Sequence, residues 1–313
     1  MHPSLLEVQS VAAAEQRAGP CPETRSWSGC RYLTCSVLPV RFACNCSCPF
    51  CFSKSSISAL RIDAVDWEQL DLESYFHFAR ERGASRLVIT GGGEPLLRPD
   101  AVLATVRRGR RYFQEIACFT NGSLLTPELA RKLTASGLSY LCYSRHHFDD
   151  DCNRRLMGDA APSLHRFFES TNGIPIRATC VMAKGHIDCR HEVWRYINRL
   201  AEFGVRQFTF KHTYISYERS VFAASEEDRW AADHRVTFDP FVGQGEVIGR
   251  LPWGPAIRRI GDFQVCHYHE PDPAWELEHQ LCRSVNLLSD GTMFASLEDQ
   301  SSRLFRLSSS SPH

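Results

Sequence analysis

Four cysteines fall within eight residues, Cys44, Cys46, Cys48 and Cys51 in CNCSCPFC. A knot this tight asks for a backbone loop that can bring several thiolates onto one group. The chain holds 14 cysteines in 313 residues. Its first residues, MHPSLLEVQSVAAAEQRAGP, lack a basic stretch followed by an apolar core, so no secretory leader is expected. Without export the cysteines stay thiols, and a disulfide framework explains them poorly. Cys118, Cys142 and Cys180 lie inside apolar runs and read as small buried hydrophobes.

A zinc site commonly takes two cysteine pairs, or one pair with two histidines, separated by a dozen or more residues. The compact knot has no such second pair; Cys21, Cys30 and Cys35 can supply a ligand, but not in paired spacing. Read as Cys44-x3-Cys48-x2-Cys51, it offers three thiolates from one loop. Three thiolates can hold three irons of a [4Fe–4S] cluster and leave the fourth open to chemistry. Cys46 is a non-ligand in this register, and the aromatic Phe50 precedes the last cysteine.

Lys plus Arg number 36 and Asp plus Glu number 36, for a net charge of zero, which speaks against nucleic-acid binding as the main task. No window of eighteen uncharged apolar residues is present, so a membrane span is not expected. With 43% apolar residues the chain reads as a globular, cytoplasmic α/β protein.

The segment RLVITGGGEPLL begins as a β-branched strand (86–90) and ends on three glycines, which let backbone approach a ligand closely. Glu94 then places a carboxylate beside that surface. Strand patterns recur near 34–38, 116–120, 139–144, 176–182 and 206–214. Helical periodicity lies between several of them. Asp66 is the expected N-cap of the first helix, Thr126-Pro127 opens a second that Gly137 ends, and the segment from His191 carries a third to Gly204. Such alternation implies right-handed βαβ units and a parallel sheet.

The cysteine loop followed about forty residues later by GGEP resembles the radical SAM superfamily, whose signature is CxxxCx-aromatic-C after the first barrel strand; the nearest style is the molybdenum-cofactor cyclase and peptide-modifying branch. The resemblance implies a partial (β/α)6 barrel over 34–235, with an N-terminal extension (1–33), an irregular C-terminal extension with a hairpin (236–302) and a disordered tail (303–313). It implies Cys44, Cys48 and Cys51 as cluster ligands. Phe50, Gly92, Gly93, Glu94, Asn121, Ser144 and Arg177 are then the residues at S-adenosylmethionine, Glu94 at its amino end and Arg177 at its carboxylate. It further implies reduction of the cluster by an external flavodoxin- or ferredoxin-type donor, and a 5′-deoxyadenosyl radical that abstracts hydrogen from a small-molecule or peptide substrate in a biosynthetic pathway.

Parallel barrels carry function at the C-terminal ends of their strands. Arg145, His146, His147, Lys211 and His212 fall at such ends and are expected to converge on one basic mouth, with Lys211 and His146 as candidate catalytic groups and an anionic substrate. Asp290-Gly291 marks a hairpin turn, and Ser296 stands near the place where relatives often carry a cysteine. Cys266 and Cys282 alone are too few for a second cluster, unless Cys21, Cys30 or Cys35 complete it. Two other readings stay open: a zinc-stabilised binding module, which leaves GGGEP unexplained, and a barrel that binds S-adenosylmethionine without radical turnover.

Overall fold

The computed structural model describes residues 25–40, 43–59, 65–218, 220 and 222–307. Cys21, most of the expected N-terminal extension and the last six residues lie outside the described residues. Six strands lie side by side in chain order, all parallel: β1 (Arg31–Val37), β2 (Arg86–Ile89), β3 (Glu115–Thr120), β4 (Tyr140–Ser144), β5 (Ile176–Val181) and β6 (Gln207–Lys211). Helices α1 (Leu72–Glu81), α2 (Pro99–Gly109), α3 (Pro127–Ser136), α4 (Asp150–Met157), α5 (Leu164–Thr171) and α6 (Arg190–Ala201) fill the crossovers. The expected barrel core is therefore present.

The strand pattern explains how the barrel acquires a polar interior. Along β6, Phe208 and Phe210 are buried against the outer helices, while Gln207, Thr209 and Lys211 alternate to the other face. On α6, Val193, Tyr196, Ile197 and Leu200 recur at helical spacing and close the outer layer. Each such side chain contributes roughly 1.5–3 kcal/mol by leaving water. Thr126 caps α3 through its hydroxyl, and Gly137 ends it at a φ of 103°. Asp66, however, caps only a 3-10 turn at Trp67–Gln69; Asp71 accepts from the Ser74 N–H and starts α1 itself. The Leu70-Asp71 pair interrupts what the periodicity shows as one helix.

The C-terminal third corrects the expectation of an irregular extension. After α7 (Glu226–Asp233), strands β7 (Glu246–Arg250), β8 (Ala256–Ile260) and β9 (Phe263–Tyr268) form an antiparallel meander. β9 then pairs parallel to β6. A short helix, α8 (Pro273–His279), leads into β10 (Leu281–Leu287), which pairs parallel to β1. The Asp290-Gly291 turn joins β10 to the antiparallel β11 (Thr292–Phe294). Arg303–Arg306 is a further strand, β12, rather than part of a disordered tail.

Eight parallel strands result, in the order β10-β1-β2-β3-β4-β5-β6-β9. Among the described residues β9 and β10 do not pair, so the barrel keeps one seam. An ion pair crosses it: Arg283 on β10 meets Glu270, just beyond β9. Helix α8 packs against β10 beside this seam.

Candidate active site at the barrel mouth

The cysteine loop lies over the C-terminal ends of the strands because three neighbours tie down its backbone. The Glu94 N–H donates to the Ala43 carbonyl at 2.9 Å, and the Ser47 N–H donates to the Met157 carbonyl at 2.8 Å. The Asn121 amide donates to Asn45 Oδ1 at 2.9 Å and lies 3.7 Å from Cys44 Sγ. Asn45 in turn donates to Ser123 Oγ at 2.7 Å. Asn121 thus positions the cysteine loop, a role finer than the cofactor contact expected of it.

Gly93 is required by this docking, and Gly91 by the tight turn of its own loop. A Cβ on Gly93 would stand 1.7 Å from the Ala43 carbonyl oxygen, and one on Gly91 would stand 1.6 Å from that of Gly93. The close approach is therefore between two protein loops, not to a ligand alone. Gly92 is buried and does not line the mouth, whereas Gly91, Gly93 and Glu94 do.

The mouth is a cavity of about 650 Å3 lined by all four loop cysteines, by Phe50, Glu94, Asn121, Ser144 and His146, and by Lys211 with its neighbours. Glu94 is 2% exposed. Its carboxylate accepts from Thr120 Oγ1 (2.7 Å), the Leu96 N–H (3.0 Å) and the Asn121 N–H (2.7 Å). Burial nevertheless raises its pKa to about 7, against those bonds, which lower it. A cation arriving beside Glu94 would be paired with a dehydrated carboxylate.

The Cys46 thiol hydrogen-bonds Cys44 Sγ, which also accepts the Cys46 N–H at 3.4 Å. The bond from Cys46 is the largest of the effects that bring Cys44 down to about 6, and Cys46 is correspondingly raised. Burial raises Cys48 and Cys51. The donor chemistry fits an iron–sulfur cluster better than one ion. Four sulfurs about 2.3 Å from a single zinc lie roughly 3.8 Å apart. The one group of three or more potential ligands within 4.8 Å of one another, among the described residues, is His147, Asp149 and Cys152, not the cysteine loop. Ligands that each hold a separate iron need no such mutual contact.

The expected basic mouth is corrected at several residues. Arg145 is fully buried and turned away, bonded to the Asp150 carboxylate at 2.6 Å and to the carbonyls of His147 (2.8 Å), Pro162 (3.2 Å) and Phe148 (3.3 Å). It braces the β4–α4 connection. His147 accepts the Asp149 N–H on Nδ1 and does not line the cavity. His146 does line it, edge-on to Phe50 at 4.7 Å between ring centroids. Burial lowers its pKa to about 3, and Nδ1 accepts the Val181 N–H at 3.0 Å. His146 is therefore a neutral ring with its proton on Nε2, a hydrogen-bond donor rather than a cation. His212 is likewise neutral, brought down to about 4 by burial and by His267.

Of the five residues expected to form the basic mouth, Lys211 remains as a cationic group lining it, and Arg235, which was not expected, lines it too. Lys211 lies 3.3 Å from Glu270 and over the Tyr268 ring at 4.7 Å; burial lowers its pKa to about 7. Glu270 also accepts from Tyr268 Oη at 2.5 Å and pairs with Arg283. This Lys211–Glu270–Arg283 group, with Tyr268, escapes the sequence reading. Its signal is the alternation in FQVCHY (263–268), masked by the surrounding prolines and glycines. Arg177 does not line the mouth at all. It lies one layer deeper, in an inner cavity that opens beneath.

The sequence model of the Radical SAM superfamily matches residues 38–185. An AdoMet-dependent heme synthase of Methanosarcina barkeri is 36% identical over 103 residues, 32% of this chain and 28% of its own length. A probable GTP 3′,8-cyclase of Thermoplasma volcanium is 30% identical over 115 residues, 37% of this chain and 33% of its own length. The chain thus spans about a third of these relatives. Among solved structures, Streptococcus suis SuiB has a TM-score of 0.54 at 14% identity, covering 85% of this chain and 60% of its own. SuiB bound to its precursor peptide SuiA gives 0.53 at 14% identity, over 88% and 62%. At that identity the likeness is one of fold.

Proposed function

We propose that this chain, which carries a radical SAM domain at residues 38–185, is an enzyme that reductively cleaves S-adenosylmethionine at the barrel mouth and acts on an anionic small-molecule or peptide substrate. The observation that carries the reading is the docking of two loops. Cysteine thiols and Glu94 meet at a cavity of about 650 Å3, where Gly93 seats against Ala43. When bound, a [4Fe–4S] cluster with S-adenosylmethionine supplies a 5′-deoxyadenosyl radical for hydrogen abstraction.

The chain's own groups do the rest. Cys44, Cys48 and Cys51 are the proposed cluster ligands, with Asn121 steadying the Cys44 thiolate. Glu94 accepts the ammonium of S-adenosylmethionine, its burial strengthening a pair that water would weaken. Ser144 and the His146 Nε2–H face the same cavity as hydrogen-bond donors. Phe50, packed between His146 and Trp230 at 4.7 and 5.5 Å, covers the side of the loop at Cys46 and Cys48. Lys211 lines both the mouth and the inner cavity, placing its charge where a substrate would pass from one to the other. The electron comes from an external donor of the flavodoxin or ferredoxin type.

The test is anaerobic reconstitution with iron and sulfide, followed by dithionite and S-adenosylmethionine. A brown protein with broad absorption near 400 nm that forms 5′-deoxyadenosine is expected. A colourless protein that binds stoichiometric zinc instead would overturn the reading. An intact cluster that forms no 5′-deoxyadenosine would leave only a binding barrel.

A further inference from the structure

Beneath the mouth the barrel encloses a second cavity of about 310 Å3, joined to the first at Phe52, Thr90 and Phe119. Its charged lining is unbalanced: Arg86, Arg177, Lys211 and Arg283 against the single carboxylate of Glu270. Arg86 lies 3.6 Å from Glu115. Lys211 and Arg283 both hold Glu270. Arg177 has no ion pair among the described residues. Its Nη2 reaches the Cys142 thiol at 2.8 Å, and its guanidinium lies over the rings of Tyr140 (5.2 Å) and Phe119 (5.6 Å).

These contacts steer the group without neutralising it. Desolvation works against the Arg177 charge, but a guanidinium does not deprotonate in proteins, so it stays a cation. Its Nε is buried with no hydrogen-bond partner. Two residues along the same face of β5, Thr179 is 5% exposed and its hydroxyl is also buried and unpartnered. Both side chains line the inner cavity. Unmet buried donors are destabilising, the more so when charged. Two of them on one wall mark a place where an acceptor belongs.

We infer that the inner cavity binds the carboxylate of a small organic acid, with the Arg177 guanidinium and the Thr179 hydroxyl as its donors. A planar carboxylate matches the guanidinium fork. A phosphate would call for a second uncommitted cation or a nest of backbone N–H groups, and Lys211 and Arg283 are already engaged by Glu270. The apolar part of the acid lies towards Phe52, Phe119 and Tyr268, the side that opens to the mouth. The enclosure suits a molecule of amino-acid size, held by one end with its far end at the mouth. That this acid is the substrate rests on the proposed function; that it binds does not.

The test uses the reconstituted protein without reductant, titrated with acetate, butyrate, benzoate and 3-phenylpropionate, each beside its amide, and with inorganic phosphate. At least one acid is expected to raise the thermal midpoint and to bind tenfold or more tighter than its amide, with phosphate inert. Arg177→Gln should abolish the effect and Arg177→Lys should restore part of it. Thr179→Val, which keeps the side chain's size and removes the unmet hydroxyl, should weaken acid binding several-fold while the ligand-free midpoint holds or rises; it decides the matter if Arg177→Gln does not fold. No acid binding better than its amide, or equal binding by Thr179→Val and the parent, overturns the inference. 5′-Deoxyadenosine formed by a protein that binds no acid removes this inference alone. Acid binding without 5′-deoxyadenosine removes the proposed function and leaves the site.

Discussion

At the scale of single residues, the cysteine loop makes the sharpest distinctions. Cys46 lines the same cavity as the three proposed ligands and hydrogen-bonds Cys44, yet its spacing leaves it outside the triad. Cys48→Ala is expected to lose the cluster, measured as iron, sulfide and absorption near 400 nm. Cys46→Ala is expected to keep all three; a colourless Cys46→Ala protein would shift the register. Gly93→Ala tests the docking rather than the ligands. Its methyl must displace the Ala43 carbonyl, which has no soft side chain to yield. A loss of more than about 2 kcal/mol of stability is expected, with weaker iron retention. Wild-type-like denaturation would mean that the loops do not need this contact. That Cys44, Cys48, Cys51 and Glu94 gather at one cavity is legible from the chain because cysteine spacing and a glycine run are local. The fates of Arg145 and Arg177 were not. Which way an arginine turns depends on Asp150 and Pro162 in one case and on Cys142 and Tyr140 in the other, and no spacing rule encodes those neighbours.

At the scale of elements, β9, α8 and β10 matter most, because they form the two edges of the seam. Their packing leaves Glu276 on α8 buried, accepting the Arg283 N–H at 2.7 Å, with burial raising its pKa to about 8. A carboxyl whose folded pKa lies above its unfolded value binds its proton more tightly when folded. Its stabilising contribution is full below the ordinary value of 4.5 and is lost as pH rises through about 8. The slope for one such group is about 1.4 kcal/mol per pH unit. Glu276→Gln keeps an acceptor for the Arg283 N–H and removes the titration. The variant is expected to gain stability over the parent at pH 8 and to match it near pH 4.5, measured by urea midpoints across that range. A parallel pH profile in the two proteins would refute the assignment. The sequence conceals these elements for a physical reason: Pro271 and Pro273 with nearby glycines resemble a loop, although Pro273 simply occupies the first turn of α8, where no N–H is missed.

At the scale of the whole molecule, the partial barrel expected at residues 34–235 is not a separable unit. Val265 from β9 and Cys282, Val285 and Leu287 from β10 belong to the same buried cluster as Val37, Leu87 and Phe208. Without them β6 and β1 become open edges, each with an unpaired row of backbone groups. The proposed chemistry is divided in the same way. Cys44 to Glu94 lie near the start of the barrel, while Glu270 and Arg283, which engage Lys211, come from the last strands. A chain limited to residues 34–235 is therefore expected to unfold without a cooperative transition and to bind a hydrophobic dye. Residues 25–307 should unfold in one sharp step. Matching cooperative melts for the two chains, within a few degrees, would show that the six-stranded core stands alone and that the seam strands only decorate it. The expected difference follows from burial. Val265 of β9 and Cys282, Val285 and Leu287 of β10 are all 0% exposed. Removing them uncovers the partners on β1 and β6 in the same step.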